Sequence, residues 1–364
     1  MRDIFRPENL RVENRKILRI FIVALSFLCL MSYIGMEIRP AHELMMALSV
    51  IVLFALVLDN IWLSLFLGWT VFLYCFFGCS GGENYVTNLF YGCILYFLVK
   101  VAFDKEHIDF FLDGVLWLAF INILYMCVQL LGYNFIFASA APYGFMANRG
   151  ITGIFFALCI PLLARRNLSL SALLFIPLWI GGTATSMAAG IIGWLFFLFF
   201  RIPKKTWIIL CLVLFLMGSY YLIFINHPGT ERFMMWRMAL QDTILHPMTG
   251  WGLNSFANYT QTKDMVYLLS SLEANGEISK WDNPHNLYVS LFFEWGIVGL
   301  FLLGGYLRQC GLAFNRAIKE PNTLALASLL IVFFVSSIFW FPIFLARMAV
   351  IIVPCFALYE LQTK

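Results

Sequence analysis

The apolar residues of this chain run in long unbroken blocks and do not alternate with polar residues. Residues 51–58 and 207–216, for example, contain only apolar side chains. A helix needs roughly 20 such residues to cross about 30 Å of hydrocarbon. Transmembrane strands are about ten residues long and alternate in polarity, which these blocks do not. The pattern therefore predicts an all-α, polytopic integral membrane protein.

The blocks predict about twelve membrane-spanning helices in a single transmembrane domain over residues 1–364. Their expected limits are 17–36, 43–58, 61–78, 87–103, 110–131, 151–164, 168–183, 190–200, 206–225, 287–305, 322–340 and 343–360. The short pair 168–183 and 190–200 is expected to be broken or re-entrant. One long interruption, residues 226–286, predicts a large loop on one face of the membrane.

The composition supports a membrane protein and argues against several other classes. Apolar residues make up 62% of the 364 positions, and charged residues make up 12%. Soluble domains carry roughly 25% charged residues. A soluble enzyme, a disordered protein and a nucleic-acid-binding protein are therefore not expected, and the lipid bilayer is the expected partner.

The basic residues predict the orientation, because loops that stay in the cytoplasm are rich in lysine and arginine. With twelve crossings and a cytoplasmic N-terminus, most basic residues fall on the inner side. These are Arg2, Arg6, Arg11, Arg15, Lys16, Arg19, Lys100, Lys105, Arg165, Arg166, Arg201, Lys204, Lys205, Arg308, Arg316, Lys319 and Lys364. We therefore expect both termini in the cytoplasm and the loop 226–286 outside.

The first part of the large loop, residues 229–247, predicts a helix that Pro247 ends. Phe233, Trp236, Leu240 and Ile244 recur at a spacing of three and four, which places them on one face. The arginines of this helix, 232 and 237, have no carboxylate three or four residues further on, so both could bind an external anion. An interfacial amphipathic helix with solvated charges is the alternative interpretation.

The end of the large loop predicts a helix start with a histidine in its first turn. Asn283 is a suitable N-cap and Pro284 a suitable first helical residue, which places His285 directly after them. The N-terminus of a helix carries partial positive charge and free N–H groups, so it favours anions and a neutral imidazole. His285 could serve as a general base or as a hydrogen-bond donor, and a purely structural role is the alternative.

These residues resemble a known family. His285-Asn286, nine further residues and then Gly296-x-x-Gly299 match the His-Asn-x9-Gly-x-x-Gly pattern of the O-antigen ligase/polymerase family of bacterial envelope glycosyltransferases. Other parts of the chain resemble family features in the same order. They are the loop Gly144 to Gly150 with Asn148 and Arg149, the run Arg232-x-x-x-Trp236 with Pro247 and Gly250-x-Gly252, and Arg347 near the outer end of the last span.

The resemblance implies a fold, a location and an activity. The fold is a GT-C-like membrane glycosyltransferase with one large periplasmic loop, located in the bacterial inner membrane. The donor is a glycan linked through pyrophosphate to undecaprenol, and the acceptor is a sugar hydroxyl. A ligase uses lipid A–core as acceptor, whereas a polymerase uses a lipid-linked repeat unit, and Arg347 slightly favours the ligase. No cofactor and no metal ion are expected.

The resemblance also implies roles for individual residues. Arg232 and His285 are the expected catalytic residues: Arg232 stabilises the pyrophosphate, and His285 activates the acceptor hydroxyl or binds the diphosphate. Asn286 orients the sugar or the imidazole. The expected substrate-binding residues are Asn148, Arg149, Trp236, Arg237, Asn286 and Arg347. One departure is Met187, which stands where the family often has an arginine, so Arg149 or Arg237 would have to supply that phosphate contact.

Two other classes of function are compatible with the sequence. A transporter of lipid-linked sugars would carry charged residues along a cavity through the whole bilayer, whereas the polar residues here concentrate on one outer face. A scaffold subunit of an envelope complex would tolerate the loss of Arg232 and His285.

Overall fold

The computed structural model describes residues 19–20, 61–77, 83–133, 142–146, 148–201, 230–253, 255–259, 284–338 and 346–363. The predicted spans 43–58 and 206–225 lie outside these ranges, as do most of 17–36 and residues 226–229 and 260–283 of the large loop.

Helices form most of the described chain, and most of their limits agree with the predicted spans to within about six residues, whereas the helix predicted over 287–305 continues to Ala317. They are α1 Ile61–Phe77, α2 Glu83–Ala102, α3 Ile108–Leu130, α4 Arg149–Ala164, α5 Leu168–Leu173, α6 Phe175–Gly181, α7 Ala184–Arg201, α8 Thr230–Thr243, α9 Ser255–Tyr259, α10 Leu287–Ala317, α11 Pro321–Ser336 and α12 Ala346–Thr363. The predicted helical character is confirmed.

Three helices in the described part of the chain are long and apolar enough to cross a membrane. They are α3 together with the 3₁₀ turn before it (Lys105–Leu130), α7, and the first 26 residues of α10 (Leu287–Leu312). The total of twelve spans stays a prediction. The predicted span 168–183 is divided into α5 and α6, which meet at Leu174.

The centre of the fold is α4, in which residues 150–162 are all buried. It packs against α3, α7 and α11. Gly153 and Gly190 make the α4–α7 contact close, because a Cβ atom at either position would meet side chains of the facing helix. Small residues allow helix backbones to approach in this way in membrane proteins.

The contacts between helix ends show which ends of the bundle lie together. Leu287 N at the start of α10 donates a hydrogen bond to Ser337 O after α11, at 2.9 Å. The start of α7 lies near the start of α4, where a Cβ atom on Gly153 would meet Ser186. We call this the His285 end.

Basic and acidic side chains interact at the opposite end of the bundle, which we call the basic end. Arg165, at the end of α4, contacts Asp109 and Asp113 of α3, and its Nη1 lies 2.8 Å from Oδ1 of Asn322. The basic residues at this end are Lys100, Lys105, Arg165, Arg166, Arg201, Arg308 and Lys319.

A second polar cluster joins α2 to α12 at the basic end. Lys100 Nζ lies 2.7 Å from Glu360 Oε2, and the Tyr96 hydroxyl donates to the same carboxylate. Tyr359, at the same level of α12, donates from its hydroxyl to Cys310 O of α10 at 3.2 Å. Arg19 also reaches this end, where its Nε donates to Ala102 O at 2.6 Å.

Candidate active site

The start of α10 differs from the prediction. The helix begins at Leu287, and the side-chain oxygen of Asn286 accepts hydrogen bonds from Tyr288 N at 2.9 Å and Val289 N at 3.0 Å. Asn286 is therefore the N-cap. The expected helix start at Pro284 is wrong, since His285 precedes the cap and has a non-helical backbone. His285 still lies at the N-terminus of the helix, but outside its first turn.

His285 is held in an uncommon backbone conformation. Its φ angle is +49°, in the left-handed region that only a few per cent of residues other than glycine adopt, with asparagine, aspartate and histidine the most frequent. Neighbouring contacts fix the backbone on both sides of it. Trp236 Nε1 donates to Pro284 O at 2.6 Å, and Leu287 N donates to Ser337 O at 2.9 Å. A strained backbone of this kind persists where several surrounding contacts hold it in place, and it is common at functional sites.

Trp236 positions this turn through its hydrogen bond to Pro284. The indole is half-buried, and it belongs to the small cluster that packs α8 against α10. The structure therefore gives Trp236 a positioning contact, whereas the expected contact with substrate stays a prediction. Arg237 follows it in α8 with an exposed side chain. Arg232 lies in the same helix, and its side chain is outside the described residues.

Most of the residues through which α8 packs on α10 lie outside the set Phe233, Trp236, Leu240 and Ile244, which the spacing places on one face. Met235, Ala239 and Thr243 are buried, and the first two pack on Val289 and Phe293 of α10. The side chains of Phe233, Leu240 and Ile244 are exposed. Three residues of the shared face are thus exposed, whereas Trp236 is half-buried and packs against the contact that Met235 and Ala239 make with α10.

The glycines of the two family-like motifs interlock. Gly296 interrupts α10 with a φ of +64°, and Gly250 of the loop after α8 has a φ of +67°. At this break Phe293 O accepts from Trp251 N, and Ile297 N donates to Pro247 O, both at 2.8 Å. A Cβ atom on Gly296 would lie 2.6 Å from Gly250 N. The motif glycines therefore have a structural function, which is to join the loop to the broken helix.

Aromatic side chains cover the interlocked glycines. Trp251 stacks on Phe293 with the ring centroids 6.2 Å apart, and its Nε1 donates to Asp242 O at 3.0 Å. His246 lies against the Trp251 ring at 4.4 Å. Burial and a hydrogen bond to Asp242 raise the pKa of Tyr259, so this phenol stays neutral and joins α9 to α8.

The loop before α4 is built on two buried amides of α3. Gly144 N donates to Gln129 Oε1 and Phe145 N donates to Asn122 Oδ1, both at 2.7 Å. Asn148 then caps α4 by accepting from Gly150 N at 2.8 Å and Ile151 N at 3.2 Å. The oxygen of Asn148 is thus used as a helix cap, and its expected contact with substrate stays a prediction.

Arg149 reaches across to the start of α7. Its Nε donates to Gly182 O at 2.5 Å, and its side chain is exposed. Gly182 lies two residues before α7, whose fourth residue, Met187, is half-buried against the core. Arg149 therefore brings a guanidinium to the helix start at which the resembled family often has an arginine and this chain has Met187.

The structure places these residues at one end of the bundle. His285, Asn286 and Trp236 form one connected group, and Asn148 with Arg149 forms a second group at the same end. Arg347 is the second residue of α12, whose first turn also lies at this end, and its side chain is outside the described residues. Among the described residues no group of three or more His, Cys, Asp or Glu side chains could hold a metal ion.

Sequence reasoning missed the groups that support the site. They include the backbone carbonyls of Pro284 and Ser337 and the side chains of Asn122 and Gln129. The two amides do leave a signal in the sequence, because each is a polar residue within an apolar membrane-spanning block, where polar side chains commonly join helices. The backbone carbonyls of Pro284 and Ser337 leave no signal in the sequence, because every residue has a backbone carbonyl.

The fold and the site define a helical membrane protein in which glycine, histidine and arginine residues of the family-like motifs gather at one end. Residues 169–304 match the family model described as O-antigen ligase. The matched region contains His285, Asn286, Arg232, Trp236 and the interlocked glycines. The match confirms the resemblance of this part of the chain to the O-antigen ligase/polymerase family. It supports a membrane enzyme of the glycosyltransferase type with O-antigen ligase-like activity. No curated protein sequence matches the chain.

Proposed function

We propose that the protein transfers a glycan from undecaprenyl pyrophosphate onto an acceptor sugar hydroxyl at the His285 end of the bundle. The observation that carries this proposal is the fixed turn at His285. Its backbone is held from α8 by Trp236, from α10 by the Asn286 cap and from α11 by Ser337. A histidine fixed in this way at a helix start is suited to act on a bound substrate.

In this proposal the acceptor hydroxyl attacks the anomeric carbon of the donor glycan. The bond between that carbon and the pyrophosphate oxygen breaks, and the leaving undecaprenyl pyrophosphate keeps the bonding electrons. His285 accepts the proton of the hydroxyl as the new glycosidic bond forms. In the alternative role His285 donates a hydrogen bond to the diphosphate.

The leaving pyrophosphate needs positive charge, and the arginines of the His285 end supply it. Arginine binds phosphate oxygens through two parallel N–H groups. Arg149 is supported for this role because its Nε bond to Gly182 fixes the guanidinium at the start of α7. Arg232, Arg237 and Arg347 are the other candidates, with Arg232 proposed as the main contact. We assign the contact missing at Met187 to Arg149.

The distribution of charge supports a periplasmic site. The basic end carries Lys100, Arg165 and Arg308, and cytoplasmic loops are enriched in such residues. Arg19 and the end of α12 also lie at the basic end, which agrees with cytoplasmic termini. The His285 end would then face the periplasm of a bacterial inner-membrane protein.

The acceptor distinguishes two activities. Arg347 slightly favours a ligase that uses lipid A–core, and a polymerase that uses a second lipid-linked repeat unit is the alternative. The test is deletion of the gene in its native host, followed by gel analysis of the envelope glycans and complementation with wild type or His285→Ala.

Each outcome of the deletion has a separate meaning. Loss of all long chains on lipid A–core, with full-length glycan accumulating on the carrier lipid, indicates a ligase. Core that bears a single repeat unit indicates a polymerase. An unchanged glycan pattern would contradict both and would favour another surface glycan or a transport function. Restoration of the wild-type pattern by His285→Ala would contradict the role of His285.

We also expect transfer to be independent of divalent metal ions, because arginines supply the positive charge in the proposed site. Purified protein assayed in EDTA should keep its full rate. A rate that falls in EDTA and returns with added Mg²⁺ or Mn²⁺ would contradict this expectation.

A further inference from the structure

The helix α8 lies beside the first half of α10 and runs in the same direction. Trp236, at the middle of α8, contacts Pro284, just before α10. Ala239 then packs on Val289 and Phe293. Beyond the end of α8, Pro247 O accepts from Ile297 N at 2.8 Å. The two segments therefore stay in register from the beginning of α10 to its break at Gly296.

The length of α10 gives the depth of this contact in the membrane. Between Asn286 and Arg308 the chain contains no lysine or arginine, and its one carboxylate, Glu294, is buried. This stretch of roughly 20 residues spans about 30 Å as a helix, which is the thickness of the hydrocarbon. Gly296 lies about ten residues from the start, or about 15 Å deep. The residues bonded to the break must lie at a similar depth.

The exposed side chains change in character along α8 and the following turn. At the level of Pro284 the exposed residues include Arg237 and, one turn later, Gln241. At the level of the break the most exposed apolar side chains are Ile244 at 72%, Leu245 at 68% and Met248 at 62%. They continue the exposed apolar surface of α10 at Ile297 and Phe301. Polar groups thus lie at the membrane boundary and apolar groups lie below it.

Much of the backbone of this turn is hydrogen-bonded within the protein. Ile244 N donates to Gln241 O, Leu245 N to Asp242 O, His246 N to Thr243 O and Gly250 N to His246 O. The carbonyls of Pro247 and Met248 accept from Ile297 N and Val298 N of α10. Non-helical backbone at membrane depth is tolerated where it is buried in protein, and Gly250 of this turn is buried against the backbone of Phe293 and Glu294 in α10. The exposed polar side chain of the turn, His246, lies against Trp251.

We propose that residues 244–251, the tip segment, are inserted into the hydrocarbon of the leaflet on the His285 side. The occupant of the exposed apolar face is lipid acyl chain. The first part of the large loop is then a re-entrant element that stands beside α10, and Arg237 lies at the level of the lipid head groups. This inference needs only that α10 crosses the membrane and does not depend on glycan transfer.

The first test measures the reaction of introduced cysteines with a membrane-impermeant maleimide, on protein in lipid nanodiscs that leave both faces accessible. The variants are Ile244→Cys and Met248→Cys, and Gln241→Cys is the matched control on the same helix. Wild type gives the background of the nine native cysteines. A thiol reacts as the thiolate, so one held in hydrocarbon should react at least about tenfold more slowly than the control. All three variants should react equally after denaturation in SDS.

The second test identifies what covers the tip segment. Wild-type protein is irradiated in nanodiscs that contain a phospholipid with a diazirine at the end of its acyl chain. The tryptic peptide 238–263 should carry the lipid adduct within residues 244–251, whereas a head-group diazirine should not label these residues. Rapid maleimide labelling at 244 and 248 would overturn the proposal. Slow labelling without an acyl adduct would also overturn it, because protein and not lipid would then cover the segment. Neither readout requires an active enzyme.

Discussion

At the scale of single residues, the account rests on the turn Pro284-His285-Asn286. Each of the three residues has a separate contact or conformation. Pro284 supplies a carbonyl to Trp236, His285 takes a left-handed φ of +49°, and Asn286 caps α10. The cap fixes where the helix begins, and the left-handed residue before it turns the backbone out of the helical path. The position of His285 is thus a consequence of its two neighbours.

Substitution of Asn286 should separate capping from substrate binding. Asn286→Ala removes the acceptor for Tyr288 N and Val289 N, so we expect a loss of about 1 kcal/mol in stability and a reduced rate of transfer. Asn286→Asp keeps the acceptor and has nearly the same shape, so both properties should be largely retained. Thermal unfolding of the purified protein and a glycan-transfer assay measure the two properties.

The opposite result for Asn286→Asp would contradict capping as the main role. A variant that is as stable as wild type but inactive would mean that the amide nitrogen contacts the substrate, as the family resemblance first suggested. The comparison is direct because the cap hydrogen bonds use only the side-chain oxygen.

At the scale of helices, the loop and α10 depend on each other. The break at Gly296 frees Phe293 O and Ile297 N from helical bonding, and the loop residues Trp251 and Pro247 bond to them. Without the loop these groups would be left without their bonds in an apolar surrounding, which is costly. The two glycine motifs therefore form one structural unit, although they are separated by more than 40 residues of chain.

We expect Gly296→Ala to damage this unit strongly. Gly296 has a φ of 64° and a ψ of −169°, a conformation open essentially only to glycine that costs other residues about 1–3 kcal/mol, and an alanine Cβ atom would also meet the backbone at Met248 and Gly250. The matched control is Gly304→Ala in the same helix, where a Cβ atom would meet nothing within 4 Å. Thermal unfolding should show a large decrease for Gly296→Ala and no decrease for Gly304→Ala. Equal stability of the two variants would show that the break is not needed.

The sequence predicts the limits of most helices because long apolar blocks have few other solutions in a membrane protein. Blocks such as 61–78 and 110–131 correspond closely to α1 and α3. The start of α10 does not follow from the sequence alone, because Asn283 and Asn286 are both suitable N-caps. Contacts from α8 and α11 determine that Asn286 is the cap. Those contacts join residues far apart in the chain, so no local pattern shows them.

The buried face of α8 shows a second limit of sequence reasoning. Both Phe233-Trp236-Leu240-Ile244 and Met235-Ala239-Thr243 have helical spacing, and hydrophobicity favours the first set. In a membrane, however, large apolar residues gain little by turning inward. The spacing therefore shows which residues share a face of α8, and only the contacts with α10 show which of them are buried.

At the scale of the whole molecule, the two ends of the bundle differ in chemistry. The basic end is held by ion pairs, of which the pair between Arg165 and the carboxylates of α3 is central. The His285 end is held by caps and by hydrogen bonds to the backbone. Its arginines at 149 and 237 have exposed side chains. This difference agrees with a structural role for the basic end and a binding role for the His285 end. No sequence pattern shows that α4, α7 and α10 all begin at the His285 end.

Neighbouring arginines at the basic end allow a controlled test of this division. The side chain of Arg165 is 2% exposed and that of Arg166 is 51% exposed, and both pair with Asp109 and Asp113. Because the carboxylates are partly in solvent, we expect Arg165→Ala to cost about 2 kcal/mol, less than a fully buried pair. Arg166→Ala should cost less than about 1 kcal/mol.

Thermal unfolding measures the stability of both arginine variants, and a transfer assay measures their activity below the unfolding temperature. Both should keep the wild-type affinity for the donor. A selective loss of donor binding in Arg165→Ala would contradict a purely structural basic end.

The central claim is that His285 acts on the substrate, and the most direct measurement is glycan transfer by purified protein reconstituted in lipid. The variant His285→Asn removes the titratable imidazole, and asparagine tolerates the left-handed backbone. His107→Ala, which removes a histidine from the basic end, is the matched control. The account predicts that His285→Asn folds normally and transfers glycan at least about 100-fold more slowly, while His107→Ala keeps the wild-type rate. Transfer by His285→Asn at the wild-type rate would contradict it.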